Sequence, residues 1–173
     1  LYKKMKKAGV KAINFGIESG NQDVLDYYRK GITLDQVRKA VRLSHQMDFL
    51  TVGNFILGAP IETMQHLERT IRFAYALPLD LVSFTILQYN YRSDLWNEAC
   101  QAGKISLDDG YSIPSDSCRG LGNITYEDLK TFQRHSLIKF YIRPNYLVRQ
   151  LYRSVKTQDF TLLRMLYYAR SLL

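Results

Sequence analysis

The stretch Phe55-Ile56-Leu57-Gly58-Ala59-Pro60-Ile61-Glu62-Thr63 decides the fold. A short apolar run stops at a glycine, a proline and a carboxylate, and a long amphipathic pattern follows. A strand buried on both faces reads as such a run, and parallel sheets make strands of that kind. Gly58 and Pro60 predict a tight strand-to-helix turn. Glu62 is expected to complement the positive end of the next helix. In α/β folds, ligands sit at turns of this kind.

The same pattern recurs on both sides. Upstream, Ala12-Ile13-Asn14-Phe15-Gly16-Ile17 reads as a strand ending at Glu18-Ser19-Gly20. Asn21 is a candidate N-cap for a helix from about Gln22, with Val24, Leu25 and Tyr28 as its apolar side. Thr33 with Gln36 makes a capping box for a second helix. The central strand spans Leu50 to Leu57. Its helix carries Leu67, Thr70, Ile71, Ala74 and Tyr75 on one face, and Pro78 ends it. Downstream, Leu81 to Leu87 is a third strand that exits through Gln88-Tyr89-Asn90-Tyr91-Arg92, and Ser93 caps a short helix.

Strand–helix alternation at this spacing is the βαβ signature. The expected fold class is α/β: a partial (β/α) barrel with three parallel strand–helix units, followed by a helical C-terminal tail. Three units are too few to close a barrel and leave two open sheet edges, a liability. The chain also starts at Leu1 without a methionine or a leader. Both features lead us to expect a piece of a longer protein with an N-terminal portion outside it.

Beyond residue 105 the composition shifts. Residues 106–123, rich in Ser, Asp, Gly and Pro, read as a linker or ordered loop. Thr125 starts a helix and Arg143-Pro144 breaks the pattern. Val148, Leu151, Tyr152 and Val155 are expected to line one further helical stretch, and Leu162, Leu166, Ala169 and Leu173 another. The expected organisation is a half barrel over 1–105, the linker, and a helical extension over 124–173.

A hydrophobic content of 46% with 13% aromatic residues excludes disorder. No run of 18 apolar residues spans a membrane. The net charge of +8 is uneven: residues 1–118 hold 14 Lys/Arg against 13 Asp/Glu, and residues 119–173 hold 10 against 3. A basic tail of this kind suits nucleic acid or an acidic partner, or is a solvated helix face. Cys100 and Cys118 have neither CxxC spacing nor a nearby histidine, so no disulfide framework or zinc site is expected. A reducing, cytoplasmic setting is the default.

Several segments together resemble the second half of the barrel of radical S-adenosylmethionine (SAM) enzymes, above all the group with an N-terminal cobalamin-binding domain. They are Phe15-Gly16-Ile17-Glu18-Ser19-Gly20, Lys30-Gly31-Ile32-Thr33, Phe55 through Thr63, and Phe140-Tyr141-Ile142-Arg143-Pro144. The resemblance covers roughly residues 1–165. It departs from the family in two places. The family's Cys-x3-Cys-x2-Cys loop is absent. Tyr89-Asn90-Tyr91-Arg92-Ser93 stands where a Pro-Tyr-Pro-Gly-Thr-like exit is common.

The resemblance implies SAM as cofactor, a [4Fe–4S] cluster whose ligands lie outside this chain, and cobalamin in part of the family. It also implies as partners the N-terminal half of the barrel and a cobalamin-binding domain, and a substrate it does not identify. A ribose needs a hydroxyl acceptor, which makes Glu18 and Ser19 candidates at a strand's C-terminal end. Adenine needs an apolar slot and close backbone approach, for which Ile56, Leu57, Gly58 and Pro60 are candidates. Lys30 is a candidate for a ligand carboxylate. Tyr89, Asn90, Tyr91 and Arg92 are candidate substrate-facing residues. Gly58 and Pro60 are equally readable as turn chemistry, and Tyr89, Tyr91 and Trp96 as core. His45, His66 and His135 stand singly and read as surface or satisfied histidines. A non-catalytic module that binds nucleic acid or an acidic partner through the tail is the alternative. A sugar- or phosphate-handling barrel lacks evident anion ligands.

Overall fold

A computed structural model of the protein describes residues 1–161. The Leu162, Leu166, Ala169 and Leu173 pattern lies outside the described residues. Three parallel strands alternate with helices, and C-terminal helices follow, so the fold class is α/β. After a short helix α1 (Tyr2–Lys7) come β1 (Ala12–Glu18), α2 (Gln22–Tyr27), α3 (Leu34–Gln46), β2 (Leu50–Leu57), α4 (Met64–Ala76) and β3 (Leu81–Ile86). Next are β4 (Gln88–Asn90), α5 (Asp94–Gln101), β5 (Ser112–Pro114), α6 (Tyr126–Tyr141) and α7 (Pro144–Thr157).

The sheet order is β1-β2-β3, all parallel, and β4 pairs antiparallel with β5 in a separate two-stranded sheet. Ala12 pairs with Leu50 and Val52 with Leu81, which sets the three strand ends level. Register shifts by one residue between Gly16 and Glu18, a bulge at the exit of β1.

Local signals explain the helix boundaries. The Thr33 hydroxyl accepts from Gln36 N at 3.2 Å, and Gln36 Oε1 accepts from Thr33 N at 2.8 Å, a complete capping box for α3. Ser93 Oγ accepts from Trp96 N at the start of α5. Thr125 Oγ1 accepts from Asp128 N before α6. Asn21 occupies the N-cap position of α2, but its side chain does not cap. The buried amide donates instead to Ser19 Oγ, Thr70 Oγ1 and His66 O, tying the β1 exit to α4.

Burial alternates along β2. Thr51, Gly53, Phe55 and Leu57 are buried, on the face that α3 and α4 cover. Leu50, Val52, Asn54 and Ile56 are only half-buried. The expectation of a strand buried on both faces is therefore corrected. Among the described residues, no element covers the second face fully. That face is partly polar: Asn14 is exposed, Ser83 half-buried and Thr85 exposed, and Asn54 donates to Asn14 Oδ1 at 2.6 Å.

Packing divides the chain into two compact units, Leu1–Arg134 and His135 onward, with α6 running through the division. The first holds both sheets. In the second, Pro144 sits in the first turn of α7 after an extended Arg143, as expected from the Arg-Pro break. The rings of Phe140, Tyr141 and Tyr146 cluster at 5.1–5.4 Å. The buried residues of α7 are Tyr146, Gln150 and Ser154. Val148, Leu151, Tyr152 and Val155, expected to line a packed face, are 55–70% exposed.

Candidate functional site at the C-terminal strand ends

The exits of β1, β2 and β3 lie at one end of the parallel sheet, since Glu18 pairs with Phe55 and Leu57 with Ile86. Glu18 and Gly58 thus lie at the same end of the sheet, as their motifs lead one to expect. Asn90 lies four residues past the end of β3, in β4.

Glu18 has φ +67, a left-handed conformation that a glutamate rarely adopts. Such backbone strain clusters at functional sites. Its carboxylate Oε1 lies 2.8 Å from Lys30 Nζ, with side-chain exposures of 17% and 34%. The two residues expected to meet a ligand separately are paired with each other. Ser19 is fully buried, and its hydroxyl is shared with Thr70 Oγ1 at 3.1 Å and with the Asn21 amides. It anchors the β1 exit to α4.

The turn after β2 is built around Glu62. Contrary to the expectation from sequence, the side chain does not reach for the next helix. It folds back, and Oε2 accepts from Gly58 N at 2.7 Å and Ala59 N at 2.8 Å. The reason is geometric: Glu62 stands two residues before α4, where the donors in reach are those of its own turn. The residue is fully buried and Oε1 has no hydrogen-bond partner. Burial pushes its carboxyl above the ordinary glutamate range, against the lowering effect of the two backbone donors.

Gly58 has φ +92, and a Cβ there would lie 2.8 Å from Leu129 Cδ1 and 3.2 Å from Ser115. The close approach expected at Gly58 is made by the protein itself. Ser115 Oγ donates to Gly58 O at 2.6 Å, and Asn123 Nδ2 donates to Pro60 O at 2.8 Å. Residues 106–123 thus brace the turn. Ile56 is half-buried and packs against the cluster that contains Leu87, Tyr89 and Trp96.

Past β3, Tyr89 is buried in that cluster, and burial pushes its phenol up to about 12. Asn90 is exposed and accepts from Ser112 Oγ at 2.8 Å. Tyr91 packs edge-on against Trp96 and Tyr111, and the exposed Arg92 lies 5.1 Å over its ring. A cleft of about 260 Å³ opens beside this segment, lined by Tyr27, Pro60, Tyr89, Leu95, Glu98 and Lys104 among others. Tyr89 and Pro60 share it, whereas Glu18, Ser19, Lys30, Gly58, Asn90, Tyr91 and Arg92 do not line it.

Two contributors escaped sequence reasoning. Tyr28, read only as an apolar helix residue, has a buried hydroxyl without a partner. Burial, with the nearby Glu62 charge, raises its phenol pKa. His66 joins the exits of β1 and β2: Nδ1 meets the Thr63 hydroxyl at 2.8 Å and Nε2 meets Asp23 Oδ2 at 3.0 Å. His66 stands three residues after Thr63, where a capping box usually has Glu or Gln, and that spacing was the available signal.

Comparison with known proteins bears on this site. Residues 1–74 match the family model described as the radical SAM superfamily. The chain is 33% identical over 152 residues to an uncharacterized methyltransferase of Pyrococcus horikoshii, covering 87% of this chain and 33% of that protein. It is 35% identical over 86 residues to the anaerobic magnesium-protoporphyrin IX monomethyl ester cyclase of Cereibacter sphaeroides, covering 50% of the chain and 14% of that protein. A cyclase of the same name from Rubrivivax gelatinosus is 30% identical over 93 residues, 54% of the chain and 17% of that protein. The chain therefore spans a third or less of each of these relatives.

Proposed function

We propose, on the premise that residues 1–74 belong to the radical SAM superfamily, that this chain supplies SAM-binding and substrate-facing strands to a larger radical SAM enzyme. The observation that carries the proposal is the Glu18 carboxylate. It stands in a strained backbone at a strand's C-terminal end, at the same sheet end as the Gly58 turn and beside a half-open, partly polar sheet face.

The residues present fit a nucleoside. Glu18 offers an acceptor for ribose hydroxyls and Ile56 an apolar wall. The unpartnered Glu62 Oε1 and Tyr28 hydroxyl are buried polar atoms at the same exits. Lys30 stands beside Glu18, Ser19 fixes the turn that carries it, and Gly58 and Pro60 shape the neighbouring one. Bound SAM would supply a 5′-deoxyadenosyl radical, with methionine as the other product, where a cluster reduces it, or an electrophilic methyl group where reduced cobalamin accepts it. This chain's part is to hold the nucleoside, orient it and shield it from water.

Cys100 is half-buried and Cys118 exposed. Among the described residues no three His, Cys, Asp or Glu side chains are grouped to hold a metal. In the proposal the [4Fe–4S] ligands come from outside this chain, and so does any cobalamin-binding domain. The name of the Pyrococcus relative favours methyl transfer, radical-based or cobalamin-assisted, and Tyr89, Asn90, Tyr91 and Arg92 are proposed to face the substrate. No helix among the described residues is long and apolar enough to cross a membrane. The proposed setting is cytoplasmic.

The test is SAM binding by the complete, cluster-loaded enzyme under anaerobic conditions. Glu18→Ala is expected to weaken affinity about tenfold or more, since a hydrogen bond to a charged group is worth about 1.5–3 kcal/mol. Unchanged affinity removes Glu18 from the site.

A further inference from the structure

We infer that Lys30 is a positioning residue whose ammonium holds the Glu18 carboxylate in place for a ribose diol, rather than a ligand contact in its own right. This rests on the SAM-binding reading of Glu18.

Three observations carry it. First, the pair is close and half-sheltered: Nζ to Oε1 is 2.8 Å, and Lys30 has no other described partner among hydrogen bonds and ion pairs. The ammonium has three donors and the contact with Glu18 engages one of them, so the carboxylate is the partner the structure gives it. Second, the backbone fixes both ends. Glu18 sits in a bulge at φ +67. Lys30 N is bonded to Leu25 O at 3.0 Å, just after a left-handed Arg29 at φ +52. Third, the space beneath the pair is kept empty of side chain. A Cβ on Gly16 would lie 2.9 Å from Glu18 Oε1 and 3.5 Å from Lys30 Nζ.

The consequence for binding is specific. Lys30 occupies one carboxylate oxygen, and Glu18 Oε2 has no hydrogen bond among the described residues. Two vicinal hydroxyls can then be accepted by the open oxygen and the remaining lone pair of Oε1. Without Lys30 the carboxylate is free to leave Gly16, and the diol meets a mobile acceptor.

The experiment is a double-mutant cycle on the complete, cluster-loaded enzyme, with the SAM dissociation constant as readout. Glu18→Gln and Lys30→Met are each expected to weaken binding about tenfold, a typical loss for one charge-assisted hydrogen bond. The double variant is expected to bind no worse than the weaker single one, and Lys30→Arg to stay within about threefold of wild type. Additive losses, about a hundredfold in the double variant, overturn the inference, because Lys30 then contacts the ligand itself. A ligand-free structure of Lys30→Met forms a second arm. The Glu18 carboxylate is expected to swing off Gly16, and an unchanged orientation overturns the inference. Wild-type enzyme that fails to bind SAM overturns the underlying reading instead, and the structural arm still decides the role of Lys30.

Discussion

The two ends of the parallel sheet are built on opposite principles. At the N-terminal end, Asp80 is fully buried and its Oδ2 accepts from Thr51 N at 2.8 Å and Thr51 Oγ1 at 3.0 Å. Asp80 N donates to Thr51 O at 2.9 Å, so strand entry is locked by reciprocal bonds. At the C-terminal end, Glu62 is equally buried but leaves one oxygen unpartnered, Tyr28 leaves a hydroxyl, and Glu18 stands in a left-handed backbone. Ser44 Oγ, in the last turn of α3 before β2, is also buried without a partner, so the contrast lies in the two buried carboxylates: that of Asp80 is locked onto Thr51, and that of Glu62 keeps one oxygen open. Barrel folds divide their labour in the same direction.

The sharpest way to break this contrast is at the locked end. Asp80→Ala strands the buried Thr51 N, while the Thr51 hydroxyl keeps Pro78 O at 2.9 Å, and the lost bonds to a buried charge are expected to cost about 3 kcal/mol in urea unfolding, with SAM affinity of the complete enzyme unaffected. A cost below about 1 kcal/mol would mean the strand entry is not what holds the sheet.

Gly58→Ala comes next. The methyl group meets Leu129 and Ser115, and φ +92 is strained for any L side chain. Overpacking and strain together predict a loss of about 2 kcal/mol by the same measurement.

Glu62→Gln separates charge from shape. The carboxyl's pKa is raised by burial, so the folded state holds its proton to higher pH than the unfolded chain. The stability it contributes is present below the unfolded value and is lost as pH rises through the folded one. Wild-type stability is therefore expected to fall as pH climbs above the ordinary glutamate range, and Glu62→Gln to flatten that slope. An identical slope in both proteins would show that Glu62 is not the group responsible.

Asp23→Asn is expected to have the smallest effect. Burial, the largest single influence, raises the Asp23 pKa, but the hydrogen bonds from His66 and Val24 N and the charges of His66 and Arg69 together outweigh it, leaving it lowered. Such a group contributes stability above its unfolded pKa and loses it as pH falls through the folded one. Asp23 is 59% exposed although His66 is only 16% so, and solvent at the carboxylate should keep the change below about 1 kcal/mol and let it disappear in acid.

The strands and caps of this fold are legible in sequence because their causes are local. Thr33, Gln36 and Ser93 act within three residues of their partners, and the apolar runs of β1, β2 and β3 each stop at a turn signal. Glu18 and Gly58 could be set at one sheet end because parallel strands impose a common direction. What stayed hidden depends on distance through space. The Glu18–Lys30 pair spans a helix, and Glu62 had two sets of backbone donors to choose between. The buried Tyr28 hydroxyl carries no sequence signal. Along α7 the periodicity was real, but the buried positions are Tyr146, Gln150 and Ser154, a polar-leaning stripe that hydropathy does not favour.

The bracing of Gly58 by Ser115 and Leu129 bears on how this protein can be cut. A shortened piece ending at residue 105 would keep every parallel strand yet lose the hydroxyl on Gly58 O and the methyl that fills the space beside it. A fragment that keeps this bracing therefore has to run past Leu129. Insertions meant to report on the β2 exit belong at the exposed tip near Tyr111, where the backbone is not spoken for by the turn.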